Sequence, residues 1–422
     1  MSRLVDVLVP PRLGTGFRWL LASSWTSNIG DGISLAAGPL LVASQTDSEF
    51  LVALAALLQW APPMVFGLWA GALTDRLDRR RIIIVGYLLR FAVVALLAAA
   101  LAFDAATIVL VLVAMFLLGS AKVFVDNAAS TLTPMLVDRA DLPVANARIT
   151  TGIITFSTLV GPPIGAFLFT AGRAVPFVTE VLVGLLAVLL IGQLRLPAHG
   201  REATADRRVW HDIVEGVRWT VHHPAVRTLV LTILIFNVTF GAAWSVLVLY
   251  ATEHLGLGSV GFGLITTVQA VGGLLGTFGY GWLTRRLSMG DLMRIGLVIE
   301  TLTHLVLAVT TSAYVAMPVF FVFGAHAFIW GTTSLTIRQR AVPTELQGRV
   351  GSVNALGTYG GLVVGAGIGG VLAQHWGVTA PFWFAFAGSA VFVVVIWGQL
   401  HHLAHSDEGR PLDAPAAPAE PH

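Results

Sequence analysis

Long apolar runs separated by short polar connections dominate this chain. Twelve runs lie near 17–43, 50–74, 82–102, 106–128, 144–170, 173–194, 226–252, 260–284, 291–311, 313–338, 348–373 and 379–401. Each approaches or exceeds the roughly 20 residues that a helix needs to cross the hydrocarbon core of a bilayer. A membrane-spanning backbone must satisfy its hydrogen bonds internally, which favours helices. The pattern therefore predicts an all-α polytopic membrane protein with twelve transmembrane helices.

Composition and motifs argue against an enzyme. Hydrophobic residues make up 56% of the 422 residues and charged residues only 11%, whereas soluble domains average about 25% charged residues. The chain has no cysteine, so it has neither a disulfide framework nor a thiolate metal site. It has no His-Glu-x-x-His motif, nucleotide-binding loop or Ser-His-Asp constellation. We therefore expect no enzymatic activity, cofactor, resident metal or nucleic-acid partner.

Arginine is concentrated in alternate connections, and this asymmetry predicts the orientation. Four arginines lie within 76–81, while the connections on the other side hold only Arg173. The positive-inside rule then places both termini in the cytoplasm and the protein in the plasma membrane. The polar connection 195–225 either lies partly along the membrane surface, as the spacing of Trp210, Ile213 and Val217 allows, or is an ordinary solvated linker.

Three motifs recur in the same order about half a chain apart. The segment beginning at Gly71, Gly-Ala-Leu-Thr-Asp-Arg, matches Gly-Trp-Leu-Thr-Arg-Arg, which begins at Gly281; the other two pairs begin at Pro134 and Pro343 and at Gly161 and Gly365. Parallel repeats of this kind are typical of transporters with their site between two halves. The repeat predicts six-helix bundles over 1–194 and 226–402, joined by the linker 195–225. The Pro- and Ala-rich tail 403–422 is predicted to be disordered.

The connection that follows the second run resembles a loop signature of the major facilitator superfamily. Its pattern, Gly-x-x-x-Asp-Arg-x-x-Arg-Arg, begins at Gly71, and the whole segment 71–81 is predicted to be a tight connection between two helices. The resemblance implies a cytoplasmic gate, and Asp126, near the cytoplasmic end of its helix, either pairs with Lys122 or receives Arg76 or Arg79 to close a charge cluster there. The residues assigned to this gate are Gly71, Asp75, Arg76, Arg79, Arg80 and Asp126.

A second resemblance lies in the fifth run, which is similar to the Gly-Pro motif of antiporters in that superfamily. The residues that carry it are Gly152, Gly161, Pro162 and Gly165. Proline kinks a helix and glycine permits close packing, so we expect this helix to rock against helix 8. Helix 8 offers the small residues Gly272, Gly273 and Gly276. Simple tight packing is the alternative interpretation.

Charged residues within the apolar runs need a reason, because each costs on the order of 2.5–3.5 kcal/mol at the bilayer centre. Asp31 is the leading candidate for a proton or cationic-substrate site; a structural hydrogen bond to Asn28 or to a neighbouring helix is the alternative. Lys122 and Asp126 stand four residues apart and can form an ion pair. Arg90, Glu180 and Glu300 are expected to face inward. The remaining cavity candidates are Asn237, Trp244, Glu300, His304 and His326, with Glu300 and His304 forming either a proton relay or a satisfied polar pair.

The segments near Asn28 and Asp126 also resemble the bacterial efflux branch of the superfamily, whose members export macrolides, other drugs and siderophores. The resemblance implies a secondary active exporter of amphiphilic small molecules that works by proton antiport and alternating access. Its expected partners are the substrate, protons and the lipid bilayer, and it is expected to be a monomer. An uptake symporter or facilitator for a nutrient is the main alternative, and a non-transporting membrane receptor is another.

Overall fold

Helices account for nearly all of the part of the chain that the structure describes. This computed structural model describes residues 11–194, 209–343 and 346–405. Its twelve long helices are α1 (Gly14–Ala43), α2 (Glu49–Arg76), α3 (Arg79–Ala102), α4 (Ile108–Leu136), α5 (142–171), α6 (Val175–Gly192), α7 (Pro224–Trp244), α8 (Ser259–Leu283), α9 (Met289–Val309), α10 (Ala313–Ala341), α11 (Gln347–Trp376) and α12 (Ala380–His405). A shorter linker helix, Val209–His222, lies between α6 and α7. After α7 comes a short helical segment made of one α-helical turn, Leu247–Leu249, and one π-helical turn, Tyr250–His254.

The all-α polytopic membrane fold is confirmed. Eleven helices in the described ranges are long and apolar enough to cross a membrane. The other long helix, α1, has 30 residues, which is ample length for a span. It is not among the eleven, and polar residues such as Ser23, Asn28 and Asp31 run through its middle.

Two helices extend further than the sequence indicates. The predicted connection 71–81 is mostly helical, because α2 continues to Arg76 and α3 begins at Arg79. Only Leu77 and Asp78 separate them, and the Asp78 carboxylate caps α3 by accepting from the Arg81 backbone N–H at 3.1 Å. Helix α4 continues eight residues past the predicted end at 128. Hydroxyls in that extension, such as that of Thr131, bond to carbonyls of their own helix and so fit a helical backbone despite their polarity.

Helix α5 contains an eight-residue π-helical segment between two α-helical segments. The segments are Leu142–Gly152, Ile153–Val160 (the π segment) and Gly161–Ala171. Pro162 and Pro163 lie in the first turn of the α-helical segment that follows the π segment, and neither has an N–H to donate to the preceding turn. A wider i→i+5 turn accommodates this interruption, and such π-bulges are frequent at functional sites.

The helices of each half pack mainly on one another. In the first half α1 packs on α5 and α6, and α4 packs on α2 and α3; in the second half α7 packs on α11 and α12, and α10 packs on α8 and α9. Between the halves, the main contacts join α2 to α11 and α5 to α8. The division of the chain at 194 and 226 remains a prediction that this packing pattern fits.

The linker helix is docked on the beginning of α11. Glu215 forms an ion pair with Arg349 at 2.8 Å, and a Cβ added at Gly216 would lie 2.7 Å from the Arg349 carbonyl oxygen. The side chains of Trp210 and Ile213 lie outside the described part of the chain. Residues 403–405, which were predicted to begin a disordered tail, instead continue α12 to His405, and 406–422 lie outside the described residues.

Candidate functional site

A cavity of about 620 Å³ lies between the first half of the molecule and α11. Most of its wall is apolar or aromatic, with Trp60 from α2, Met115 and Leu118 from α4, and Leu356 and Tyr359 from α11. It reaches Gly348 in the first turn of α11, near the end of the bundle where α2 meets α3 and the 76–81 arginines lie. We call this end of the molecule the basic end.

The halves of the molecule are closed together at the opposite end. There the Ser48 Oγ donates a hydrogen bond to the Gln374 Oε1 at 2.7 Å, joining α2 to α11. The Thr267 Oγ1 of α8 donates to the Leu159 carbonyl of α5 at 2.9 Å. In a regular α-helix that carbonyl would accept from residue 163, which is a proline without an N–H, so the Thr267 hydroxyl of the other half supplies a donor there.

Five charged side chains line the cavity and form one continuous chain. Glu180 lies 3.6 Å from Arg90, and Arg90 also hydrogen-bonds to Asp31. Asp31 lies 2.9 Å from the Lys122 Nζ, which in turn lies 3.0 Å from Asp126. The five charges come from α1, α3, α4 and α6 and alternate in sign. We call this group the charge chain.

The charge chain is buried at its Glu180 end and exposed at its Asp126 end. The side chains of Glu180, Asp31 and Arg90 are 6%, 9% and 13% exposed, whereas those of Lys122 and Asp126 are 45% and 60% exposed. Buried charges are tolerated only when they are paired, and here each buried carboxylate has a partner. Asp31 contacts two cations, while Glu180 contacts Arg90 at the longer distance and accepts a hydrogen bond from Ser34.

The structure brings three of the predicted site residues into this cavity and places the others elsewhere. Asp31, Lys122 and Asp126 line it. Asn28 is buried beside a cavity of about 30 Å³ next to Asp31, whose partners are Arg90 and Lys122 rather than Asn28. Trp244 lines a separate cavity of about 170 Å³ towards the closed end.

The remaining candidates belong to the second half and lie outside the lining of the large cavity. The Asn237 Nδ2 donates to the Ile233 carbonyl of its own helix at 2.7 Å. Glu300 pairs with His326 of α10 at 3.5 Å, not with His304 as a satisfied pair would require. His304 is fully buried against Trp244, and neither of its ring nitrogens has a hydrogen-bond partner among the described residues.

The structure describes the side chains of only some of the predicted gate residues. Gly71, Asp75 and Arg76 lie outside the residues whose side chains the structure describes. The Arg80 Nη2 donates to the Gly192 carbonyl at 2.5 Å, and the Arg79 Nη1 lies 2.6 Å from the Met135 sulfur. Asp126 is paired with Lys122 in this conformation, and the gate assignment remains a prediction.

The glycines of α5 pack against α1, whereas the expected partner was α8. A Cβ added at Gly161 would lie 2.5 Å from the Gly32 Cα, and one at Gly165 would lie 2.3 Å from the Ile33 carbonyl oxygen, so these residues pack α5 on α1. Gly152 lies against Trp25 of α1. The expectation that Gly272, Gly273 and Gly276 face α5 is wrong, because all three pack against α10 near Phe321, Ala325 and Phe328. The glycine of α8 that meets α5 is Gly263.

Several lining residues were not singled out from the sequence, including Ser34, Gln59 and Tyr359. Trp60 likewise lies in an apolar run, where the hydrophobic pattern does not distinguish a cavity-lining aromatic residue from its neighbours. Arg90 and Glu180 were expected to face inward but were not assigned to the site, although a charge within an apolar run is itself a signal that a partner is near. Among the described residues there is no group of three or more His, Asp or Glu arranged to hold a metal ion.

A two-part bundle of membrane-spanning helices with a largely apolar cavity and a few charged groups between its parts is the architecture of a membrane transporter, and comparisons with known proteins agree. The chain is similar to a bacterial homologue of the iron transporter ferroportin in its inward-facing state, with a TM-score of 0.73, 16% identity and coverage of 91% of this chain and 98% of that one. It is equally similar in fold to a nucleoside transporter, with a TM-score of 0.73 and 10% identity over 91% and 99% of the chains.

The family model described as transmembrane secretion effector matches residues 8–418. The chain therefore belongs to this family of major facilitator superfamily transporters. It is 28% identical over 380 residues to the multidrug efflux pump Tap of Mycolicibacterium fortuitum, covering 86% of this chain and 90% of that protein. It is 23% identical over 395 residues to macrolide efflux protein A of Streptococcus pyogenes, covering 87% and 93%.

Proposed function

We propose that this protein is a secondary active exporter, not an enzyme, and that it moves amphiphilic small molecules out of the cell in exchange for protons. The observation that carries the proposal is the cavity between the halves, with its apolar wall and its charge chain. An apolar cavity with a few polar groups suits a molecule with a bulky lipophilic body. The relatives named as multidrug and macrolide efflux proteins support the direction and the class of cargo.

The closure of one end of the molecule supports an alternating-access mechanism. The halves meet at the end of Ser48 and Gln374, while the cavity extends to the basic end. If the basic end is cytoplasmic, as the positive-inside rule indicates, this conformation takes its cargo from the cytoplasm. Export requires the contacts at the closed end to break while the basic end closes. The cavity is complete within one chain, so we propose that the monomer is the transporting unit.

Proton coupling needs a carboxylate that can gain and lose its charge within the bundle. Asp31 contacts both Arg90 and Lys122, so two cations compensate the charge of this buried carboxylate. Glu180 is the carboxylate of the charge chain with the weaker ionic contact and the lower exposure, and Ser34 is its hydrogen-bond neighbour. We therefore assign the exchangeable proton to Glu180, with Asp31 holding Arg90 in place beside it.

The proposal is tested with purified protein in liposomes carrying an imposed proton gradient, using ethidium as the fluorescent cargo. Wild type should accumulate ethidium against its concentration gradient, and Glu180→Gln should retain only downhill flux. Asp138→Asn is a matched control, because this exposed residue at the basic end lies outside the cavity lining. Wild-type flux that ignores the proton gradient would establish a facilitator. Uphill transport by Glu180→Gln would exclude Glu180 and direct attention to Glu300 and His326.

A further inference from the structure

Asp126 is the most exposed member of the charge chain and stands at its accessible end. Its side chain is 60% exposed, while the carboxylate at the other end, Glu180, is 6% exposed. Its ion-pair partner is Lys122, which lies at nearly the same distance from Asp31, 2.9 Å against 3.0 Å. One ammonium group therefore serves two carboxylates, and the exposed one presents its free side to the cavity.

The charges that line the cavity do not balance. Three carboxylates, those of Asp31, Asp126 and Glu180, face two cations, Arg90 and Lys122. With all five groups ionised, the described lining carries one net negative charge. Because the signs alternate along the charge chain, both of its ends are carboxylates, and the Asp126 end is by far the more exposed to a molecule in the cavity. An incoming cation would complete the alternation there.

The rest of the cavity that Asp126 lines offers a place for an apolar body. The cavity wall includes Trp60 of α2 and Tyr359 of α11, whose ring faces attract cations, together with the polarisable side chains of Met64 and Met115. We infer that Asp126 binds the cationic group of the transported molecule, so that amphiphilic monocations are the preferred cargo. This inference rests on the proposed export function and names its substrate class.

Lys122 provides a second test, because its removal is expected to strengthen binding of a cation. It competes with the cargo for Asp126, since both are cations directed at the same carboxylate. Replacing Lys122 with glutamine should free Asp126 and strengthen cation binding. General damage to the fold would weaken binding instead, so an increase distinguishes competition from a structural effect.

The test measures dissociation constants in lipid nanodiscs for two probes that share a ring system. Ethidium is a permanent cation, and 6-phenylphenanthridine is uncharged at neutral pH. The readout is the ratio of their dissociation constants, which cancels loss of active protein. Asp126→Asn should reduce the preference for ethidium about fivefold, the size expected of an ion pair that remains partly in water. Asp126→Glu should restore it, Lys122→Gln should increase it, and Asp138→Asn should leave it unchanged.

The possible outcomes separate this inference from the proposed function. Binding of both probes with the same ratio in wild type and Asp126→Asn would overturn the role of Asp126 and leave the exporter standing. A weaker preference for ethidium in Lys122→Gln would also contradict it. Failure of wild type to bind either probe would count against the lipophilic cavity itself, and so against the proposed function together with this inference.

Discussion

Substituting Gly263 should open the closed end of the molecule. This glycine of α8 faces α5 in the other half, and a Cβ added there would lie 2.7 Å from the Ala166 Cβ and 2.9 Å from the Pro162 carbonyl oxygen. Carbon atoms that do not bond to each other prefer separations of about 3.5–4.0 Å. The neighbours are backbone or a side chain with no rotatable bond, so the two helices must separate by roughly 1 Å.

Overpacking of this kind typically costs about 1–3 kcal/mol. The cost applies only while the two halves touch at this end, because the opposite conformation required by the proposed alternating access would part α5 from α8 here. Gly263→Ala should therefore shift the equilibrium towards that conformation by roughly 5- to 150-fold, the factor that corresponds to such an energy difference. Gly279→Ala on the same helix is the control, since its added Cβ would meet nothing within 4 Å. Both variants gain the same helix propensity, so their difference isolates the contact.

Labelling of a single cysteine measures the shift. The natural sequence has no cysteine, so Ala56→Cys, in the small cavity towards the closed end, supplies the only thiol. A membrane-impermeant maleimide added from that side should react faster in the Gly263→Ala background than in the Gly279→Ala background. Equal rates in the two backgrounds, with both proteins folded, would show that the contact at Gly263 does not hold the closed end together.

Two further predictions concern charges. Arg90→Met leaves Asp31 without one of its two cations and should lower the free energy of unfolding by about 3–5 kcal/mol, which thermal unfolding in detergent measures. Adding Asp31→Asn to this variant should recover part of the lost stability. No recovery would show that the pairing is unimportant. Glu253 lies outside the spans, and burial together with the acidic Glu49 and Asp47 raises its pKa. A raised carboxyl pKa means that ionisation is less favourable in the folded protein than in the unfolded chain. Stability therefore falls as the pH rises from the ordinary carboxyl pKa through the raised pKa of the folded state. Glu253→Gln should therefore raise the unfolding temperature at pH 8 but not at pH 4, and an equal effect at both would contradict it.

The sequence predicts what depends on length and local spacing. Apolar runs near 20 residues gave the positions of the helices, because the thickness of the bilayer constrains every span in the same way. The spacing of Lys122 and Asp126 predicted a possible ion pair, since residues four apart share a helix face. The same spacing misled for Glu300 and His304, because α10 brings His326 closer to the carboxylate than the neighbour on its own helix.

Contacts between distant segments are harder to predict, since they depend on which helix faces pack together. Arg90 and Asp31 are 59 positions apart, and no local pattern relates them. The glycines of α8 form a small-residue face that suits several partners, and packing on α10 rather than α5 follows from the arrangement of the whole bundle. The length of α4 was underestimated because hydroxyl groups that look like loop residues can bond to the carbonyls of their own helix.

One packed path connects the charge chain to the closed end of the molecule. Gly32 follows Asp31 directly, and a Cβ added at Gly32 would lie 2.7 Å from the Gly161 Cα, so the backbones of α1 and α5 are in contact there. Gly161 is followed by Pro162, whose carbonyl lies against Gly263 of the other half. Close-packed contacts without intervening side chains transmit displacement, because there is no void to absorb it. Backbone contacts therefore run without a gap from the α5–α8 contact at Gly263 to the residue next to Asp31. Under the proposed alternating access, we expect separation of the halves at Gly263 to disturb the charge chain through these contacts.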